Sequence, residues 1–390
     1  MGLSEKSFEF VKKSSHRFPK RLFRLVNESF EITRGYISSI GSNSKKIKEI
    51  QKKILQKNFR KDTTNLIIFL TPGIDIINGG ILSVNSLFEE TINLKNVHRS
   101  EVILCTYPSD PQLLKYTKFK NNNILFNFSA TLHFFRNLDN LIIHIPEHFI
   151  YRFYWFISKS DKAILSKIKN LQINILIQNI DYLPPKRIIL KLSKFGKLTG
   201  TTAHSKYSTL ELRNQLGFPL HKLSVFVSPE QYFFREYGEK ENLIIVSPDP
   251  HPKKEEILKL IEKDFPFLKI KVIRNMTYED YKETISRAKW ALTFGEGLDG
   301  YFVETIFSGG IAFSVYNRKF FPEDFVSLRT VYGSYELLIQ NIHKDISELD
   351  GEKAYVDYQN KQFSLCSKLY DYKNYLKNLE SFYRGKYTFN

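Results

Sequence analysis

The sequence predicts an α/β protein: two doubly wound halves in tandem, facing a cleft, behind an N-terminal basic helical extension. Three observations carry this reading. Short runs rich in Ile, Leu and Phe, apolar on both sides, alternate with helical stretches, the pattern of buried parallel strands and their crossovers. The series stops in a stretch without periodicity and then starts again. Charge is uneven: residues 1–61 hold 16 Lys or Arg against 5 Glu, a net of +11 out of +17.

Within 1–61, Phe8, Val11, Phe18, Leu22 and Leu25 fall near helical spacing, and Ile47, Ile50 and Ile54 recur among lysines. Two or three basic helices are expected, interrupted at Pro19 and near Gly41. Such helices suit either an anionic membrane surface or a solvated extension packed on the body.

The expected strands of the first half (62–230) are Asn65–Leu70, Glu101–Tyr107, Ile124–Phe128, Leu141–Ile145, Ile173–Ile177 and Lys197–Thr202, with crossover helices such as 83–91, 148–157 and 185–195. Residues 225–237 read as the connection. In the second half (231–365), strands at Asn242–Val246, Lys269–Ile273, Trp290–Phe294 and Ile311–Val315 alternate with helices at 253–263, 277–288 and 302–308. Thr277-x-x-Asp280 is a capping box. A closing helix in 366–390 is expected to pack back on the body.

Composition excludes several classes. With 42% hydrophobic and 25% charged residues the chain is not disordered, and two cysteines, Cys105 and Cys366, form no disulfide framework or zinc ribbon. No signal-like start and no run of about 18 apolar residues occurs, so a cytoplasmic protein is expected. Nucleic acid is set aside as a partner, because the basic excess is terminal and lacks a binding signature.

The densest motif is Phe294-Gly-Glu-Gly-Leu-Asp-Gly-Tyr-Phe-Val-Glu304-Thr-Ile-Phe-Ser-Gly-Gly310. Glycines 295, 297 and 300 satisfy G-x-G-x-x-G, but the turn follows the third strand of its half. A dinucleotide fingerprint occupies the first strand-to-helix turn. What remains is a set of backbone amides at a helix start, which attracts phosphate, flanked by Glu296 and Glu304, which suit sugar hydroxyls. That combination describes a nucleotide-sugar site.

The Glu296 to Glu304 spacing and its context resemble the E-x7-E motif of the retaining, family-4-like glycosyltransferases of the GT-B fold, built from two Rossmann-like domains. The resemblance implies that Glu304 holds the donor ribose and that Glu296 faces the transferred sugar near the amides of Gly297 and Leu298. Asp299 stands where the family has a second glycine, and Ile311 where it has proline. Gly79-Gly80 resembles the glycine-rich loop beside donor and acceptor. In Ser247-Pro-Asp-Pro-His-Pro-Lys253-Lys254, Lys253 fits the diphosphate-binding lysine, with Lys254 the neighbouring option. Pro248 occupies the arginine position, leaving His251 or Arg274 to supply that charge. Arg274 and Asn275, with Met276, sit where the nucleotide base is contacted. His144 or His148, around Glu147, stands where the family has a histidine facing the sugar.

The resemblance thus implies a hexosyltransferase-like enzyme moving a sugar from a nucleotide sugar to a glycan or lipid-linked acceptor, in bacterial surface polysaccharide or glycoconjugate synthesis. No second aspartate follows Asp249 at Asp-x-Asp spacing, and no metal or further cofactor is expected. Residues 1–61 would bring the enzyme to an anionic membrane surface at the inner face of the plasma membrane. A non-catalytic GT-B-like binding protein and an inverting transferase using His148 or Glu147 as base are the alternatives.

Overall fold

The computed structural model describes residues 43–73, 79–107, 113–118, 122–224 and 232–390. The expected helices around Phe8–Leu25 lie outside these residues, as does part of the 225–237 connection.

The first described element, α1 (Asn43–Asn58), packs on the first domain. Its fully buried residues are Gln51 and Leu55, with Ile54 half-buried against the same core; Ile50 is exposed, whereas Gln51 donates its side-chain amide to the Leu125 carbonyl. A polar residue lies inside because its amide finds a strand carbonyl there.

Seven parallel strands follow: β1 (Asn65–Thr71), β2 (Glu101–Thr106), β3 (Leu125–Asn127), β4 (Asn140–Pro146), β5 (Asn170–Ile177), β6 (Lys197–Thr202) and β7 (Leu220–Lys222), in spatial order β3-β2-β1-β4-β5-β6-β7. Helices α2 (Gly79–Asn93), α3 (Phe128–Phe134), α4 (Ile150–Phe156), α5 (Lys159–Leu165) and α6 (Leu210–Leu216) connect them. The two faces of β1 show why its run is apolar throughout. Leu66, Ile68 and Leu70 join Phe128, Phe153 and Leu165, while Ile67 and Phe69 join Val84, Leu87 and Phe88 of α2. Both faces are covered, so no polar alternation survives in the sequence.

The second sheet comprises β8 (Glu241–Val246), β9 (Lys269–Val272), β10 (Ala288–Leu292), β11 (Ile311–Val315) and β12 (Val331–Tyr332), all parallel, in order β12-β11-β10-β8-β9. Helices α7 (Lys254–Asp264), α8 (Tyr278–Arg287), α9 (Gly300–Phe307), α10 (Tyr335–Leu349) and α11 (Glu352–Leu369) belong with it. The Thr277 hydroxyl accepts from the Asp280 amide at 3.1 Å, as the capping box predicts.

The α/β architecture of two doubly wound sheets is borne out, with three differences in detail. Strands β7 and β12 escape the hydrophobic pattern: each has three residues or fewer, and unlike the similarly short β3, which lies in the run Ile124–Phe128, neither lies in such an apolar run of five residues. The 185–195 helix is one α turn continuing as a 3-10 stretch. The closing segment is two helices: α11 ends at Leu369, and Asp371 caps α12 (Tyr372–Tyr383). α12 crosses back to the first domain, burying Tyr375, Leu379 and Phe382 with the α2 face, and Phe389 pairs with Leu220 on the edge strand β7. No helix among the described residues is long and apolar enough to cross a membrane.

Candidate active site

In a doubly wound sheet a crevice opens where the strand order reverses, beyond the carboxyl ends of the strands. The reversal lies between β1 and β4 in the first sheet, and between β8 and β10 in the second. The segments leaving these strands carry Gly79-Gly80, Glu147-His148, Ser247–Lys253 and Thr293–Gly300. Side-chain polar contacts join the domains here. Asn179 donates its side-chain amide to Glu296 Oε1 at 2.6 Å, Lys319 pairs with Asp181 at 2.8 Å, and Lys206 Nζ donates to the Arg318 carbonyl.

From the first domain, Glu147 opens a helical turn after β4 and is almost fully buried. Its carboxylate accepts from the backbone amides of Gln178 and Asn179 at 3.2 and 3.1 Å. Gln178 in turn donates to the Gly80 carbonyl at 3.2 Å. A continuous polar chain therefore runs from Gly80 at the start of α2 through Gln178, Glu147 and Asn179 to Glu296. Burial, followed by a smaller effect of Glu296, raises the Glu147 carboxyl to about 7. Tyr207 faces the same group, its hydroxyl held neutral by burial and by Glu296, Asp181 and Glu147.

In the second domain, Gly295 and Gly297 adopt φ of 73° and 81°. A Cβ at Gly297 would lie 2.7 Å from both Phe321 and Ser314, so this position requires glycine. Asp299 replaces the family's glycine and caps α9 by accepting from the Phe302 amide at 3.0 Å, so that amide is already engaged. Burial raises the Glu296 carboxyl to about 7, with Asp249 and Asp181 adding to it and the Asn179 hydrogen bond opposing.

Glu304 lies on the second turn of α9 and is almost fully buried, hydrogen-bonded by Tyr281 of α8 and by Tyr232. Burial raises it to about 7 as well. The two carboxylates of the motif thus face different neighbours, Glu296 the first domain and Glu304 a cluster of tyrosines. Gly300 keeps the approach open: a Cβ there would come within 3.0 Å of Glu304 Oε1.

The two lysines part company. Lys253 is ion-paired at 2.5 Å with the exposed Glu336 of α10. Lys254 turns inward, donating to the carbonyls of Ser247 at 2.5 Å and Asp249 at 3.1 Å, with Nζ 5.2 Å from the Phe294 ring centre. His251 stacks on Tyr335 at 3.7 Å, and the Tyr335 hydroxyl bonds the Gly295 backbone. Arg274 and Asn275 are exposed beyond β9, Arg274 close enough to depress the Lys254 ammonium after burial has done so.

The structure does not bring His144 to the cleft. It is fully buried in β4, stacked on Phe69 at 4.2 Å, with one ring nitrogen on Asn174 at 3.0 Å and the other on Tyr383 at 3.1 Å. Successive residues of a strand point to opposite faces, and His144 takes the face covered by α12. His148 is exposed at the rim, edge-on to Phe149. Asn179, Tyr232 and Tyr281, which the sequence did not single out, contact the motif carboxylates Glu296 and Glu304. The only signal was position: Asn179 follows the strand next to that of Glu147.

No protein-family model matches the chain, and no curated protein matches it by sequence. Solved structures do match by shape. A glycosyltransferase from Rickettsia africae aligns with a TM-score of 0.53 and 10% identity, over 83% of this chain and 98% of its own. Anabaena HepE, in complex with UDP and glucose, aligns with a TM-score of 0.52 and 10% identity, over 82% and 100%. TarM aligns with a TM-score of 0.54 and 10% identity, over 83% and 100%. The likeness covers more than four fifths of this chain, and it shows that the chain has the GT-B fold of these glycosyltransferase structures.

Proposed function

We propose that this protein is a hexosyltransferase-like glycosyltransferase, carrying a sugar from a nucleotide-sugar donor to a glycan or lipid-linked acceptor with retention at the anomeric carbon. The observation that carries the reading is the Glu147–Asn179–Glu296 connection, in which one residue joins a carboxylate from each domain, Glu147 on its backbone amide and Glu296 on its side-chain amide, where the two switch points face. Anabaena HepE, whose structures hold UDP with glucose or UDP-glucose, supports a uridine diphosphosugar as donor.

In this reading Glu304 accepts from the ribose hydroxyls, exchanging tyrosine partners for them, and Glu296 accepts from the transferred sugar. Lys254, with Lys253 after release from Glu336, faces the diphosphate together with the amides of Gly297 and Leu298. Arg274 and Asn275 lie toward the base, and Gly79, Gly80 and His148 toward the acceptor. The leaving diphosphate is stabilised by these cations and amides, with no metal ion called on. We place the reaction in surface polysaccharide or glycoconjugate synthesis, on the cytoplasmic side, with 1–61 as a peripheral membrane contact.

A screen of nucleotide sugars by thermal stabilisation tests the reading, since a ligand at 100 times its Kd adds about 2.7 kcal/mol. One diphosphosugar is expected to stabilise the chain and to be turned over with an acceptor, and the product anomer separates retention from inversion through Glu147 or His148. No stabilisation by any nucleotide sugar overturns it. Pro248 in the arginine position and Asp299 on the helix start favour a second reading, a binding protein without turnover, which tight binding with no transfer would establish.

A further inference from the structure

Helix α4 leaves the cleft directly after Glu147 and His148, and its outer end is unusual. Ile150 and Phe153 are buried, but the consecutive Trp155 and Phe156 are 63% and 68% exposed. Leu190, also exposed, precedes Lys191, whose ammonium lies 5.2 Å from the Tyr154 ring centre and 5.6 Å from that of Trp155. The 3-10 stretch Leu190–Lys194 therefore extends the same surface.

The charge beside it is cationic: Lys191 lies over Tyr154 and Trp155, Arg152 lies 5.9 Å from the Phe149 ring centre, and Arg187 is close enough to Tyr151 to act on its hydroxyl. Residues 147–197 contain ten Lys or Arg, of which Lys169 is paired with Asp139, and three acidic residues, Glu147, Asp161 and Asp181. Glu147 and Asp161 are each 1% exposed, and Asp181 is paired with Lys319. Exposed aromatic side chains ringed by long cationic ones suit a lipid interface, where Trp sits at headgroup depth and Lys or Arg meets phosphate. The same composition fits a protein partner poorly, because interface centres are depleted in lysine and a specific contact needs about 800 Å² per partner.

We propose that the outer face of α4 with the Leu190–Lys194 stretch docks on an anionic phospholipid bilayer, holding the first-domain side of the cleft at the membrane surface. This contact is separate from any made by residues 1–61 and rests on nothing in the donor site. It gives a lipid-linked acceptor a short path to Gly79, Gly80 and His148.

The full chain is mixed with phosphatidylglycerol vesicles, with phosphatidylcholine vesicles, and with phosphatidylglycerol vesicles carrying brominated acyl chains. Trp290 is 1% exposed, so solvent-sensitive emission reports Trp155. We expect a blue shift and bromine quenching of Trp155 with phosphatidylglycerol and little change with phosphatidylcholine. Trp155→Ala with Phe156→Ala should lower partitioning roughly tenfold, and Arg187→Glu with Lys191→Glu should do the same while weakening its salt dependence. Unchanged melting temperature and nucleoside-diphosphate binding show that fold and donor site are intact in the variants. If the chain sediments with vesicles while Trp155 emission stays fixed and the aromatic variant binds equally, the membrane contact lies elsewhere and the proposal fails. Equal binding to both lipids, or a self-association abolished by the aromatic substitutions without any vesicle effect, overturns it too.

Discussion

Glu304 and Glu296 differ in what surrounds them, and each difference is measurable. Glu304→Gln should weaken binding of the free nucleoside diphosphate about 10- to 150-fold, the loss of one charge-assisted hydrogen bond, as read by calorimetric titration. Glu296→Gln should lower turnover with a smaller change in that affinity, because the free diphosphate lacks the sugar. Burial also ties Glu304 to stability. Its native value of about 7 lies above the ordinary 4.5, so its contribution is present in full below 4.5 and is lost as the pH rises through 7. Urea denaturation of the ligand-free chain should show Glu304→Gln gaining on the parent by up to about 3 kcal/mol between pH 4.5 and 8. His144 has the opposite sign. Burial lowers it to about 3, so its contribution is present above 6.5 and is lost as the pH falls toward 3. His144→Leu takes one hydrogen bond from Asn174, which keeps Thr199 and Thr201, and one from Tyr383, which keeps Thr91, and should cost about 1–3 kcal/mol in stability, with kcat unchanged below the melting transition. A large loss of kcat in a folded His144→Leu chain would return this residue to the catalytic group.

Among the elements, α12 has the largest consequence for its size. It belongs by sequence to the end of the chain and by packing to the beginning, covering the sheet face that carries His144 and Phe69. The Tyr383 hydroxyl reaches both His144 and Thr91. Removing residues 371–390 strips three buried aromatic and aliphatic side chains from that face, and about 1.5–3 kcal/mol is lost for each. The first domain should then lose amide protection in hydrogen exchange, while the second, whose core contains α7 and α10, keeps it. Equal protection of both domains in the shortened chain would show that α12 is not part of the first domain's core. In α9 the design is different. Its residues are buried on nearly every side, so it holds Glu304 by packing, and Gly297 lets the preceding turn pass Phe321.

At the scale of the molecule, among the described residues it is Asn179 that carries a first-domain hydrogen bond to a motif carboxylate. Asn179→Ala should lower kcat at least tenfold while the nucleoside diphosphate, which we assign to the second domain, binds within about threefold. Small-angle scattering of the ligand-free variant should show a larger radius of gyration, reversed by nucleotide sugar. Normal turnover in Asn179→Ala would remove the cross-domain connection from the mechanism.

Both sheets were legible in the sequence because strands buried on two faces are largely apolar, as β1 and β2 are; ten of the twelve strands were expected, although β6 is rich in threonine and β9 alternates Lys with Ile and Val. The turn at Gly295–Gly300 was legible because positive φ and close approach restrict Gly297 to glycine. Local signals end there. Whether His144 or His148 meets the cleft depends on which face of β4 is covered, and α12, far away in sequence, decides it. Lys253 and Lys254 are adjacent and alike in composition; only Glu336 on one side and the Ser247 and Asp249 carbonyls on the other separate them. Asn179 carries no motif at all, and its role arises from one hydrogen bond between domains. Sequence alone determined the layers and the strand-to-helix turns, since burial and backbone conformation act residue by residue. Tertiary structure alone decided which side chains share the cleft, since hydrogen bonds across it join segments that no periodicity relates.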